Sequence, residues 1–209
     1  MTFYFRNYVM CAVLTVLIWV MALTPMGYIP LFGVDVTLLC IPIIVGTCTL
    51  GLRYGLFLGF MFALTSLYMA LMGRAGVLLA PILDVPTAMY TAIFLPRMLI
   101  PTVSWLIFKA TAKWKAPLSY GLTALGGSFV NTVFFLGSAY ILGGRALTES
   151  FQMSNTELLS ALSEIVVSNG VLEAVLAMIV CITVLTILKK TFGLNREDAD
   201  ETQEPDKIT

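Results

Sequence analysis

Apolar residues run through the chain in long blocks, and six of these have about the length a helix needs to cross a bilayer, roughly 20 residues with a range of ~17–25. They cover Tyr8–Thr24, Val36–Leu52, Tyr54–Met72, Thr87–Ala110, Pro117–Leu142 and Ile165–Lys190. The pattern predicts an all-α membrane protein of six transmembrane helices. Blocks two and three are separated by little more than Arg53, which implies a tight turn between them. Residues 1–190 form one transmembrane domain in this reading. Residues 191–209 hold six of the twelve acidic residues and are expected to be an acidic, disordered cytoplasmic tail.

The polar breaks differ in kind on the two sides. If the six helices alternate, Arg6, Arg53, the Lys109/Lys113/Lys115 cluster and Lys189/Lys190 fall on one side, with only Arg74 and Arg145 on the other. The positive-inside rule then puts both termini on the cytoplasmic side of the membrane. The three outward breaks are less basic and more structured. Pro25–Asp35 is rich in Gly, Pro and aromatics and suits an ordered cap. Gly73–Pro86 is apolar enough to dip back towards the membrane. Gly143–Glu164 carries an amphipathic stretch in which Ser154 and Glu157 have the spacing of a capping box, starting a helix near Asn155.

Four polar residues inside the apolar blocks carry the functional reading. Arg97 lies in Leu95-Pro96-Arg97-Met98-Leu99-Ile100-Pro101, within a run otherwise free of charge from Pro86 to Phe108. An arginine at the centre of a membrane helix costs ~3 kcal/mol on insertion scales, so it has a partner or a task. Pro96 and Pro101 lack backbone N–H groups and free the carbonyls one turn back, at Ala92 and Arg97. Arg97 is ~15 Å below the outer end of helix four, and Asn131 is ~16 Å below that of helix five if it ends near Leu142. Asn169 and Glu173 share a face at i, i+4. They reach the same depth if helix six begins near Ile165, whereas Glu173 lies close to the outer surface if Asn169-Gly170 breaks the chain. Two readings stand side by side: a self-satisfied polar cluster, with Arg97 and Glu173 as an ion pair, or a pocket for an anionic ligand with Tyr90 and Phe135 among its apolar walls.

Composition narrows the classes. The 209 residues are 59% hydrophobic and 11% charged, with zero formal net charge and a mean hydropathy of +0.93. There is no histidine, which excludes His-based triads and His-ligated metals. Cys11, Cys40, Cys48 and Cys181 all sit in apolar blocks without metal-ligand spacing and read as free core residues. No P-loop is present, so this chain does not hydrolyse ATP alone, and nothing points to nucleic acid, a cofactor or a metal. The first apolar block, preceded by Arg6 and lacking a small-residue cleavage site, is expected to be a retained helix. Gly51, Gly55 and Gly59, and Gly121, Gly126 and Gly127 with Ser128, form small-residue rows that let helices approach closely.

Several stretches together resemble the substrate-binding membrane subunits (S components) of energy-coupling factor (ECF) vitamin transporters, most of all the pantothenate type. They are Thr24-Pro-Met-Gly-Tyr-Ile-Pro30, Ile41-Pro-Ile-Ile-Val-Gly46, Gly59-Phe-Met-Phe-Ala-Leu-Thr-Ser66, Pro96-Arg-Met-Leu99, Asn131-Thr-Val-Phe-Phe-Leu-Gly137 and Asn169-Gly-Val-Leu-Glu-Ala174. The resemblance spans about Met10 to Leu188. It implies a six-helix S-component bundle and a vitamin held near the outer face by the first loop and the last three helices. It also implies docking, largely through helix one, on a separate transmembrane scaffold (T component) driven by two ATPases. Where relatives carry an Ala-x-x-x-Ala strip on helix one, Val16 occupies the second position after Ala12 here.

The expectation is therefore capture of a water-soluble vitamin, with pantothenate the best guess. Arg97 would take the carboxylate, Asn131 and Asn169 the amide or hydroxyls, and Glu173 a hydroxyl or Arg97 itself. An S component for another vitamin, a lipid-acting membrane enzyme and a structural membrane protein are the alternatives.

Overall fold

A computed structural model describes residues 2–24, 27–31, 34–74 and 76–192. The acidic tail expected from residue 191 falls, from 193 on, outside the described residues. The element order is α1 (Thr2–Leu23), strands β1 (Tyr28–Leu31) and β2 (Val34–Thr37), α2 (Cys40–Leu50), α3 (Leu52–Leu71), α4 (Pro86–Ala110), α5 (Ala116–Phe151), α6 (Asn155–Ile165) and α7 (Val171–Phe192). Five helical stretches are long and apolar enough to cross a membrane, and α2 is a shorter apolar helix. The six expected blocks thus resolve into five long spans and one short one.

The short helix is the clearest departure. Val36 and Thr37, expected at the start of the second block, belong to an antiparallel hairpin with register Tyr28↔Thr37, Ile29↔Val36, Pro30↔Asp35 and Leu31↔Val34. What remains is an 11-residue α2, about 16 Å long, shorter than the ~30 Å hydrocarbon core. It tolerates that shortness because it is buried along nearly its whole length. The described part of the segment expected to form a cap is this hairpin, and its base is closed where the Leu38 N–H donates to the Gly27 carbonyl at 3.2 Å; residues 25, 26, 32 and 33 lie outside the described residues.

Two other boundaries moved. Helix α5 does not stop near Leu142 but runs on to Phe151, because Gly143 and Gly144 are tolerated inside a helix whose flanking residues pack. Its 36 residues extend about 54 Å. A left-handed Gln152 (φ 54°) closes it. The expected capping box then forms as read: Ser154 Oγ accepts from Glu157 N, and the Glu157 carboxylate accepts from Ser154 N. Helix α6 does not break before α7. A single π-helical turn over Val166–Gly170 joins them.

The interior has two apolar clusters. One gathers Ile18, Leu39, Ile44, Leu58, Phe62, Ile100, Ala124, Ala177 and Leu185. The other gathers Ala63, Leu79, Ile82, Ile93, Leu136, Leu147, Leu158 and Leu162. The loop Gly73–Pro86 does dip back, carrying a 3₁₀ turn at Ala80–Ile82 and inserting Ile82 into the second cluster. All four cysteines are buried thiols outside any disulfide.

Close helix contact depends on the small residues. Gly51 turns the chain between α2 and α3 at φ 92°, a conformation that favours glycine. At Gly59 an added Cβ would stand 2.5 Å from the Arg97 carbonyl, so α3 rests directly on the backbone of α4 beside the buried arginine. Gly144, by contrast, faces open space. Gly59→Val is expected to destabilise the apo-protein by about 1–3 kcal/mol through overpacking. Gly144→Ala is expected to be neutral or stabilising by up to ~1 kcal/mol. Thermal unfolding of the detergent-solubilised variants checks both.

Candidate functional site

A polar layer lies where the two apolar clusters meet. On α4, Arg97 falls between Ile93 of the second cluster and Ile100 of the first. On α5, Ser128 and Asn131 fall between Ala124 and Leu136. Asn169 and Glu173 stand between Leu162 and Ala177. On α3 the clusters change between Phe62 and Ala63, and Ser66 follows one turn on.

These residues surround a cavity of about 680 Å³, within the range of ~300–1,000 Å³ common for small-molecule sites. Arg97, Asn131, Asn169, Glu173 and Phe135 all line it. Around them are Ser66 and Met69 from α3, Thr132 and Leu136 from α5, and Leu158, Ala161, Leu162 and Ile165 from α6. The end of α1 with Thr24 (Ala22, Leu23 and Thr24), Thr37 at the end of β2, and the loop residues Arg74, Gly76, Val77, Leu78 and Leu79 complete the wall. Tyr90 is not brought there. It is half-exposed on α4, and the α4 turn carrying Ala88, Met89, Ala92 and Ile93 is the one that faces inward. Phe134 likewise points outward, one residue from Phe135.

Arg97 is buried at 8% exposure. Its Nη1 donates to the Ala92 carbonyl at 2.6 Å, the carbonyl that Pro96 leaves without its helical donor. The guanidinium carbon lies 5.1 Å from the ring centroids of both Phe62 and Phe135, so α3 and α5 each contribute an aromatic face to the cation. The charge is thus held by its own helix and two rings.

Glu173 is held from other directions. Its Oε1 accepts from the Ser128 hydroxyl at 3.3 Å and from the Cys40 thiol at 3.7 Å, and the Thr37 backbone N–H also reaches the carboxylate. Ser128 and Cys40 are its side-chain hydrogen-bond partners among the described residues. Arg97 also acts on Glu173 through its charge. Asn131 Oδ1, Asn169 Nδ2 and Ser66 Oγ are buried without a hydrogen-bond partner among the described residues, and all three residues line the cavity. A buried polar group left unpaired costs about 1–3 kcal/mol, so these atoms are poised for a guest.

Four contributors were not singled out from sequence. Ser66 and Ser128 look like small packing residues until their neighbours are known. Cys40 is an apolar-block cysteine whose thiol happens to face Glu173. Arg74, set down only as an outward charge, lines the cavity from the α3–α4 loop while remaining exposed, where a cation raises the local concentration of anions. The π turn explains why Asn169 and Glu173 reach the cavity together: the helix continues through Asn169-Gly170 rather than breaking, and both residues stay on the inner face.

Donors, an acceptor pair and aromatic faces around an apolar chamber fit reversible binding. The family model for the ECF transporter substrate-specific component matches residues 6–185. The chain belongs to this family. It is similar to the pantothenic acid transporter PanT of Lactococcus lactis subsp. cremoris (strain MG1363), at 30% identity over 168 residues, covering 76% of this chain and 80% of PanT. This S component is a multi-pass transport protein of the bacterial plasma membrane that serves vitamin uptake, and not an enzyme.

If the two asparagines are poised for a ligand rather than gluing helices, replacing them with the near-isosteric leucine removes an unpaired polar group. Asn131→Leu and Asn169→Leu are expected to unfold at the parent temperature or higher in the absence of ligand. Loss of an interhelical hydrogen bond would instead lower stability by about 1 kcal/mol. Ligand-free thermal unfolding in detergent separates the two.

Proposed function

We propose that this S component captures pantothenate at the outer face of the membrane and delivers it to a transmembrane scaffold driven by two ATPases. The observation that carries the proposal is a buried arginine, flanked by aromatic rings, in an otherwise apolar cavity that also holds unpartnered amides. Pantothenate is a carboxylate joined through an amide to two hydroxyls. Arg97 takes the carboxylate, for which a charge-assisted pair is the strongest uncatalysed recognition available to a side chain. Asn131, Asn169 and Ser66 exchange hydrogen bonds with the amide and hydroxyls, and Glu173 accepts from a hydroxyl. Phe135 and the α6 leucines cover the methyl groups. The similarity to a pantothenic acid transporter supports this choice over other vitamins.

The same reading sets the orientation and the partners. Residues 1–190 are one transmembrane substrate-binding domain of six membrane-embedded helices, α2 being the short one, and 191–209 an acidic cytoplasmic tail. Both termini are cytoplasmic, by the bias of Arg6, Arg53, Lys109, Lys113, Lys115, Lys189 and Lys190 over Arg74 and Arg145. Docking on the scaffold uses α1, whose Ala12 and Val16 lie on its outward face alongside exposed Val9, Val13 and Val20.

Isothermal titration of the purified subunit with pantothenate, and with riboflavin and nicotinate as controls, tests the ligand. Pantothenate alone is expected to bind tightly. Arg97→Ala is expected to weaken it by about 10- to 150-fold, the worth of a hydrogen bond to a charged group. Parent-like affinity in Arg97→Ala removes Arg97 from the site, and tight binding of a control instead of pantothenate reassigns the vitamin.

A further inference from the structure

We infer that Pro96 is a positioning residue for Arg97: by lacking an N–H it leaves the Ala92 carbonyl as the acceptor that fixes the guanidinium within the cavity. The inference rests on the reading of Arg97 as the group that meets the ligand's carboxylate. In a regular α-helix the N–H of residue 96 would bond the carbonyl of residue 92. Proline has none to give. Ala92 is fully buried, so solvent does not reach its carbonyl, and a buried carbonyl in a native protein is paired in the great majority of cases.

The neighbouring side chain supplies the missing donor. Helical side chains lean towards the N-terminus of their helix, which takes Arg97 back along α4 to Ala92, where Nη1 donates at 2.6 Å. The tether uses one of the five N–H donors of a planar guanidinium. Together with the rings of Phe62 and Phe135, each 5.1 Å from the guanidinium carbon, it sets both the place and the tilt of that plane. Any other residue at 96 returns an N–H to the Ala92 carbonyl, which satisfies that acceptor without Nη1, weakens the tether and lets the side chain sample other rotamers. An anion then has to order it on binding.

Pro101 is an internal control. It frees the carbonyl of Arg97 itself, which faces Gly59 of α3 rather than the guanidinium. Two prolines in the same helix therefore release two carbonyls, and only one of them holds the cation.

The test uses the full chain in detergent, titrated with pantothenate and with panthenol, its neutral alcohol counterpart, to millimolar concentrations. Pro96→Ala is expected to weaken pantothenate roughly five- to tenfold, the effect of one long side chain that must be ordered on binding. Panthenol affinity is expected to change by less than about twofold, because it presents no charge to Arg97. In an Arg97→Ala background Pro96→Ala is expected to add less than about twofold, since its effect passes through that side chain. Pro101→Ala is expected to leave the preference for the anion at the parent value. Parent-like pantothenate affinity in Pro96→Ala overturns the inference. So does an equal loss for both ligands, or a loss undiminished in the Arg97→Ala background, since Pro96 would then shape the cavity and not the cation. Should Pro96→Ala not fold, Pro96→Ser restores the same N–H and is read the same way. Arg97→Ala binding pantothenate as tightly as the parent is a separate result that removes the underlying reading.

Discussion

A guanidinium buried among apolar side chains is the constraint to which the rest of this molecule answers. Its cost in a membrane interior is ~3 kcal/mol or more, and the fold meets it with three local devices. A proline one residue earlier supplies an accepting carbonyl, α3 and α5 each supply a phenyl ring, and Gly59 lets α3 come close enough for its ring to reach. None of these needs a carboxylate.

The position of the charge follows from how the core divides. Two apolar clusters fill different parts of the bundle, and the helices that join them change from one to the other at Arg97, at Ser128 and Asn131, and at Asn169 and Glu173, with Ser66 one turn beyond the change on α3. A polar layer at that junction leaves each cluster intact. It also explains the cavity, because polar groups aimed at one another across a gap of about 680 Å³ do not collapse together as leucines would. Glu173 is anchored by Ser128 of α5 and Cys40 of α2, so the acid and the cation of the layer are fixed by different partners.

Much of this was readable from residue order. Long apolar blocks announced the spans, the prolines announced the freed carbonyls at Ala92 and Arg97, and the Ser154/Glu157 spacing announced the start of α6. Arg97, Asn131, Asn169, Glu173 and Phe135 do line one cavity. What escaped depended on long-range contacts. Hydropathy does not separate a buried short helix from a spanning one, so α2 looked longer than it is, and its first residues pair in a hairpin with a strand on the far side of a turn. Tyr90 was read as a wall of the pocket because it is an aromatic on the helix of Arg97, yet two turns nearer the start of α4 it is half-exposed and outside the cavity lining. Ser66 and Ser128 matter through what they face, and that is set by packing. Gly143 and Gly144 looked like a helix end, but the continuation of α5 to Phe151 shows tertiary packing prevailing over weak propensity.

The most direct test of the central claim is a structure of the subunit with pantothenate bound. The account predicts the carboxylate within hydrogen-bond distance of the Arg97 guanidinium, about 2.7–2.9 Å for a charge-assisted pair, with Nη1 still on the Ala92 carbonyl. A carboxylate bound at Arg74, with the hydroxyl end of the ligand against Arg97, would contradict it.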